Sequence, residues 1–208
     1  MTTYKDKLGL IHVYTGDGKG KTTTGMGIAL RAVGQNLKTI IIQYLKGGAY
    51  TGEFLSITNH LPQLTIEQYG KPCVKEKAQL KLEGFDGTPK VEYYREDVEC
   101  GPCRYCFLAD EEEKRLVVQA FERTKEVLKS GEYHVVILDE INTAIQKQLI
   151  NIKEVLEVLD TKAKKTEVVL TGRGAPKELI DRADLASEIK PLKHYFDKGI
   201  FARKGIEY

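Results

Sequence analysis

From Thr15 to Thr23 the chain reads Thr-Gly-Asp-Gly-Lys-Gly-Lys-Thr-Thr, a run of small, basic and hydroxyl-bearing residues suited to a polyphosphate. Glycine lets a backbone turn so tightly that successive amides face one point, and a helix starting there adds positive potential. Gly16, Asp17, Gly18, Lys19, Gly20, Lys21, Thr22 and Thr23 are therefore the candidate nucleotide contacts. Lys21 can reach phosphate oxygens, and the Thr22 hydroxyl can sit on Mg²⁺. The run departs from the common phosphate-loop spacing at its first position, where Thr15 replaces glycine; Gly16, Gly18 and Gly20 offer a different loop path. The plain alternative is a glycine-rich strand-to-helix turn carrying a chance Gly-Lys-Thr. Val135-Val-Ile-Leu-Asp-Glu140 weighs against it, because an apolar strand ending in carboxylates is how phosphate-loop proteins hold Mg²⁺ directly or through water.

A second constellation is made of thiols. Cys73 is followed by Cys100-Gly-Pro-Cys103-Arg-Tyr-Cys106. Three cysteines spaced by three residues in a Gly/Pro turn can aim their sulfurs at one centre, with Cys73 as the fourth ligand. Such a tetrad suits Zn²⁺ or a [4Fe-4S] cluster equally, so the ligands do not choose between them. A structural metal is expected first, and a cluster passing an electron to a bound substrate second. A Cys-Gly-Pro-Cys redox pair and four unconnected reduced cysteines are the alternatives. The four histidines, His12, His60, His134 and His194, are scattered and read as packing or surface residues rather than a ligand set.

Positioning these groups requires strands that end where the loops begin. Residues 8–14, 38–45, 64–69, 134–138, 166–170 and 185–191 read as strands, several of them nearly continuous in Val, Ile and Leu, as strands covered on both faces are. Residues 21–34, 110–130, 152–163 and 176–183 read as helices. At the start of the second, Asp110 is placed to cap, with Glu113 completing a capping box. The alternation predicts an α/β fold with a doubly wound, mostly parallel sheet, P-loop NTPase-like (RecA-like), in one domain spanning residues 1–208. Residues 70–109 break the alternation. They hold Gly84, Gly87, Pro89, Gly101, Pro102 and all four cysteines, and are expected to be an insert ordered by the metal.

Several segments together resemble the P-loop corrinoid adenosyltransferases, also called cob(I)yrinic acid a,c-diamide adenosyltransferases. They are Tyr14-Thr-Gly-Asp-Gly-Lys-Gly-Lys-Thr-Thr-Thr, Gln43-Tyr-Leu-Lys-Gly, Val136-Ile-Leu-Asp-Glu-Ile-Asn, Leu170-Thr-Gly-Arg-Gly-Ala-Pro, Ala183-Asp-Leu-Ala-Ser-Glu-Ile-Lys-Pro-Leu-Lys-His-Tyr-Phe and Lys204-Gly-Ile-Glu-Tyr. Thr15 is itself this family's habit. The resemblance implies transfer of the 5′-deoxyadenosyl group of ATP to Co(I) of a corrinoid, with release of triphosphate. It also implies that residues 16–22 cradle the phosphates, that Lys21 and Glu140 are catalytic, and that Thr22 with Glu140 binds Mg²⁺ while Asp139 supports them. Lys46 and Arg173, at strand-to-loop exits, can touch phosphate or corrin side chains, a plain surface role being the alternative. A homodimer and a flavoprotein or other electron donor are the expected partners. The family often carries a helix before the first strand, where seven residues precede Leu8 here, and an aromatic-containing segment after the third strand, where Gly70-Lys-Pro-Cys stands here. Tyr93, Tyr94, Tyr105 and Phe107 are the candidates to replace those aromatics.

Composition narrows the classes. The 208 residues carry 32 basic and 30 acidic side chains, leaving +2, without the basic excess of a general nucleic-acid binder. Neither an apolar run of membrane-spanning length nor the apolar core of a signal peptide is present, so a cytoplasmic protein with reduced cysteines is expected. Two other functions fit the phosphate loop. A P-loop nucleoside kinase would use Glu140 as base toward a sugar hydroxyl, and a nucleotide-dependent corrinoid- or partner-binding module would use the insert for docking.

Overall fold

The computed structural model describes residues 4–82, 89–95, 105–108 and 110–208, with the backbone alone at 4, 78–82, 89–95 and 107. Six parallel strands form one sheet: β1 (Ile11–Thr15), β2 (Thr39–Tyr44), β3 (Leu64–Tyr69), β6 (Val135–Asp139), β7 (Glu167–Thr171) and β8 (Leu185–Glu188). Their order is β3-β2-β6-β7-β1-β8. The helices are α1 (Lys21–Gly34), α2 (Gly52–His60), α3 (Glu111–Ser130), α4 (Ile141–Gln146), α5 (Ile152–Thr161) and α6 (Lys177–Arg182). The expected α/β architecture is present, and β3 and α1 keep their expected bounds. The short helices α2 and α4 have no counterpart in the sequence reading. A 9-residue and a 6-residue helix are too brief for a periodic apolar stripe to stand out.

Side-chain alternation divides the strands between two cores. Ile40, Ile42, Val136, Leu138, Val168 and Leu170 face a layer that includes Val117, Phe121 and Leu128 of α3, Leu159 of α5 and Leu179 of α6. Ile41, Val135, Ile137 and Val169 face the opposite way, onto Ala29 and Ala32 of α1 and Ile57 of α2. Runs such as Ile40-Ile-Ile42 are therefore apolar throughout because each neighbour fills a different core. Gly25 brings α1 close to the sheet, since a Cβ there would lie 3.2 Å from Ile137 Cγ2.

The strand order also explains where a ligand belongs. The chain leaves β1 through α1 toward β2, whereas β7 leads through α6 on the other face to β8, beyond β1. Adjacent strands β1 and β7 thus send their connections to opposite faces, which opens a crevice at their carboxyl ends.

The segment expected to be aperiodic contains an antiparallel hairpin, β4 (Glu76–Leu82) with β5 (Pro89–Arg95), in register from Glu76 opposite Arg95 to Leu82 opposite Pro89. Its strands are rich in Lys, Glu and Gln, which masks a period-2 pattern. Asp110 caps α3 as expected, accepting the Glu113 amide at 3.0 Å. The capping box is only half made, because the buried Glu113 carboxylate pairs with Lys147 at 3.3 Å. Lys71, also buried, bonds Asp110 at 2.7 Å and the Leu108 carbonyl at 2.8 Å, tying the start of the insert to the start of α3.

Candidate nucleotide site

The phosphate loop runs from β1 into α1, and its path is held by residues far along the chain. Gly16 has φ +103°, and a Cβ there would fall 2.4 Å from the Ile189 carbonyl oxygen. That carbonyl accepts the Gly18 amide at 2.8 Å, while the Ile189 amide donates to the Thr15 carbonyl at 2.8 Å. The departure at Thr15 now has a physical reason: its hydroxyl accepts the Ala175 amide at 3.0 Å, linking the loop to the exit of β7. Lys21 is 7% exposed and folds back to donate to the Gly18 carbonyl at 2.6 Å. Burial lowers its pKa, against the opposing pull of Glu140.

Behind the loop lies Asp139 at the end of β6, 1% exposed. Its Oδ1 accepts from Thr171 at 2.6 Å and from Thr22 at 2.9 Å. Its Oδ2 accepts from Lys46 at 2.7 Å and from Gln43 at 3.0 Å. Burial alone would raise this carboxyl's pKa, but Lys46, Thr171 and Gln43 hold it below the ordinary range. Lys46 also donates to the Thr22 hydroxyl at 2.9 Å. Burial alone would lower Lys46, yet Asp139 and Glu140 keep its ammonium above the usual value.

Glu140 takes the next position with φ +64°, a left-handed conformation that costs a non-glycine residue on the order of 1–3 kcal/mol and recurs at functional sites. Its carboxylate accepts from Thr143 at 2.6 Å. Thr143 in turn accepts the Arg173 amide at 3.0 Å, bringing the loop after β7 against α4.

These groups open onto one cleft of about 1190 Å³, lined by Asp17–Thr23 on one side and by Lys46, Glu140 and Arg173 beside them. Of the expected nucleotide contacts, only Gly16 is away from its surface. Glu53 and Ser56 of α2, with His194, Phe196, Asp197 and Gly205–Tyr208, form a further wall. That wall is braced: Lys19 lies 5.4 Å from the Tyr195 ring centroid, Tyr195 bonds Glu207, and the Tyr50 and Tyr208 rings meet edge-on at 5.6 Å. His194, expected to have an ordinary packing or surface role, lines the cleft.

The donors fit a divalent cation. Hydroxyl and carboxylate oxygens are hard ligands, and a lysine ammonium already stands between Thr22 and Asp139 as a cation. The expected ligands Thr22 and Glu140 line the same cleft, while the carboxylate that Thr22 bonds is that of Asp139. Gln43 and Thr171 were not singled out in the sequence, although each is a polar residue directly after an apolar run, Ile40–Ile42 and Val168–Leu170, a signal that could have marked them.

The cysteine expectation falls mainly elsewhere: Cys100 and Cys103 lie outside the described residues, and Cys73 and Cys106 are half-buried. Among the described residues no three His, Cys, Asp or Glu side chains are placed to share a metal. Tyr105 packs its ring 5.2 Å from Lys71 Nζ, and the side chains of Tyr93, Tyr94 and Phe107 are outside the described set. No described helix is long and apolar enough to cross a membrane.

Comparison with known proteins identifies the family. The family ATP:corrinoid adenosyltransferase BtuR/CobO/CobP matches residues 7–92 and 90–208. A corrinoid adenosyltransferase of Sinorhizobium is 34% identical across 100% of this chain and 84% of its own length. Those of Escherichia coli K12 and Salmonella typhimurium, the latter named CobA, are 29% and 28% identical, each across 98% of this chain and 88% of theirs. A protein matched along its whole length, with its phosphate loop, carboxylates and cleft wall all inside the match, belongs to the ATP:corrinoid adenosyltransferase family and is a transferase.

Proposed function

We propose that the group transferred is the 5′-deoxyadenosyl moiety of ATP. The Co(I) electron pair of the corrinoid attacks C5′, a Co–C bond forms, and the C5′–O bond breaks with its electrons leaving on triphosphate. Co(I) needs no protein base, so the chain's work is alignment and charge stabilisation. The observation that carries this reading is a phosphate loop sharing one cleft with a wall that no generic nucleotide site requires, made by His194, Phe196, Asp197 and residues 205–208.

In this reading the amides of residues 16–22 and the Lys21 ammonium hold the polyphosphate, and Lys21 stabilises its departure. Thr22 and Glu140 hold Mg²⁺, which when bound neutralises charge on the leaving group. Asp139, saturated by four donors, orients Thr22 from behind. Arg173 adds charge at the rim. Cobalamin or cob(I)yrinic acid a,c-diamide is the acceptor, an external donor such as a flavoprotein supplies the electron that makes Co(I), and the enzyme is a homodimer. Cys73, Cys100, Cys103 and Cys106 share a Zn²⁺ or a [4Fe-4S] cluster.

The test is incubation with ATP, Mg²⁺ and chemically reduced corrinoid, with the phosphate products separated by ion exchange. Triphosphate formed only in the presence of Co(I) is expected. ADP formed with a nucleoside acceptor would replace the reading by a kinase, and corrinoid-independent ADP would overturn both.

A further inference from the structure

Asp139 accepts four hydrogen bonds, and their donors differ in freedom. Gln43 and Thr171 are fully buried on strands, and Thr22 is fixed by the first turn of α1. Lys46 is different. Its backbone is wedged, since a Cβ on Gly70 would lie 2.3 Å from the Lys46 amide nitrogen, but its side chain is 27% exposed and lines the cleft. Its ammonium donates to the Thr22 hydroxyl while that hydroxyl donates to Asp139, so it sits on the lone-pair side of Thr22 that a metal ion would use.

We propose that Lys46 is a positioning residue that acts as a built-in counter-cation: its ammonium holds the Thr22 and Asp139 oxygens together in the nucleotide-free site and is handed to the polyphosphate when Mg²⁺·ATP binds. The proposal rests on the Mg²⁺ reading given above. An ammonium and a divalent ion cannot share the Thr22 hydroxyl at hydrogen-bond distance without strong repulsion. Free Mg²⁺ must therefore expel Lys46 with nothing to receive it, whereas Mg²⁺ arriving with ATP brings the anionic phosphates that take the ammonium over. Lys46 thus makes metal and nucleotide binding interdependent, and by linkage each raises the affinity for the other equally.

Mn²⁺ serves as the probe, with binding followed by electron paramagnetic resonance on the full chain, with and without a non-hydrolysable ATP analogue. Lys46→Met is expected to bind Mn²⁺ roughly tenfold more tightly than wild type without nucleotide, because the competing charge is gone. The coupling between Mn²⁺ and the analogue should fall by a similar factor. Lys46→Met should also melt lower in metal-free buffer, where Asp139 loses its cation, and should recover more on Mg²⁺ addition than wild type does. Lys46→Gln, which keeps a donor without the charge, covers the case in which methionine prevents folding and should shift Mn²⁺ affinity in the same direction. Unchanged or weaker Mn²⁺ binding in a folded variant, with wild type plus analogue binding Mn²⁺ normally, overturns the proposal and leaves the Mg²⁺ reading intact. Absence of Mn²⁺ binding in wild type with the analogue overturns the Mg²⁺ reading itself, and this proposal with it.

Discussion

Gly16 and Gly20 both hold positive φ, +103° and +114°, but for different reasons. Gly20 opens into free space, whereas a methyl group on Gly16 would strike the Ile189 backbone carbonyl. Gly20→Ala is therefore expected to cost backbone strain alone, on the order of 1–3 kcal/mol. Gly16→Ala adds displacement of Ile189, just past β8, whose carbonyl receives the Gly18 amide, so it should unfold at lower urea and lose nucleotide affinity more severely. Equal midpoints for the two variants would show that the Ile189 contact does not shape the loop. Sequence alone marked the candidate phosphate contacts that the fold brings to one cleft, because glycine, lysine and threonine carry their chemistry in their types. It did not reveal Ile189 or Ala175, which act through backbone groups that every residue possesses. Gln43 and Thr171 were hidden for a related reason: an amide or hydroxyl at a strand end is common, and only the buried Asp139 carboxylate between them makes it necessary.

At the scale of elements, α1 controls the loop that precedes it. The helix rests on the sheet at Gly25, where Ile137 Cγ2 and Thr171 Cγ2 would lie 3.2 and 3.6 Å from an added Cβ. Gly25→Leu overpacks this contact and is expected to destabilise the fold by about 1–3 kcal/mol. Because Lys21 and Thr22 begin the same helix, the shift should weaken ATP binding as well, whereas Gly27→Leu, at a position with nothing within 4 Å, should leave both nearly unchanged. Chemical unfolding and calorimetric ATP titration measure the two effects separately. Indistinguishable results for the two variants would mean that α1 is not held in place through Gly25. The long elements were legible because burial on both faces writes itself as unbroken Val and Ile in β2, β6 and β7. The hairpin β4–β5 was not legible, since strands rich in Lys and Glu carry no such signature. The helix α2 was missed because Gly52 opens it and only Ile57 is fully buried.

For the whole molecule, the two cores lie on the sheet and flanking helices, and among the described residues neither includes one from the cysteine-bearing segment. If the four thiols share a metal, anaerobically purified protein should contain about one Zn²⁺ or one [4Fe-4S] cluster per chain. Cys103→Ser should release it without unfolding the sheet, so the main thermal transition should persist. Elemental analysis separates zinc from iron, and metal-free wild type prepared without air or chelator would end the shared-site idea. The strand order has a consequence for how the molecule comes into being. β1 is synthesised well before its two neighbours, β7 and β8. During translation the phosphate loop must wait, attached to a strand with both edges bare, until residues 167–188 have emerged. Such separation between partners slows folding and prolongs exposure of unpaired edges. The early strands β1 and β2 therefore emerge long before β6, β7 and β8, the partners that cover their open edges.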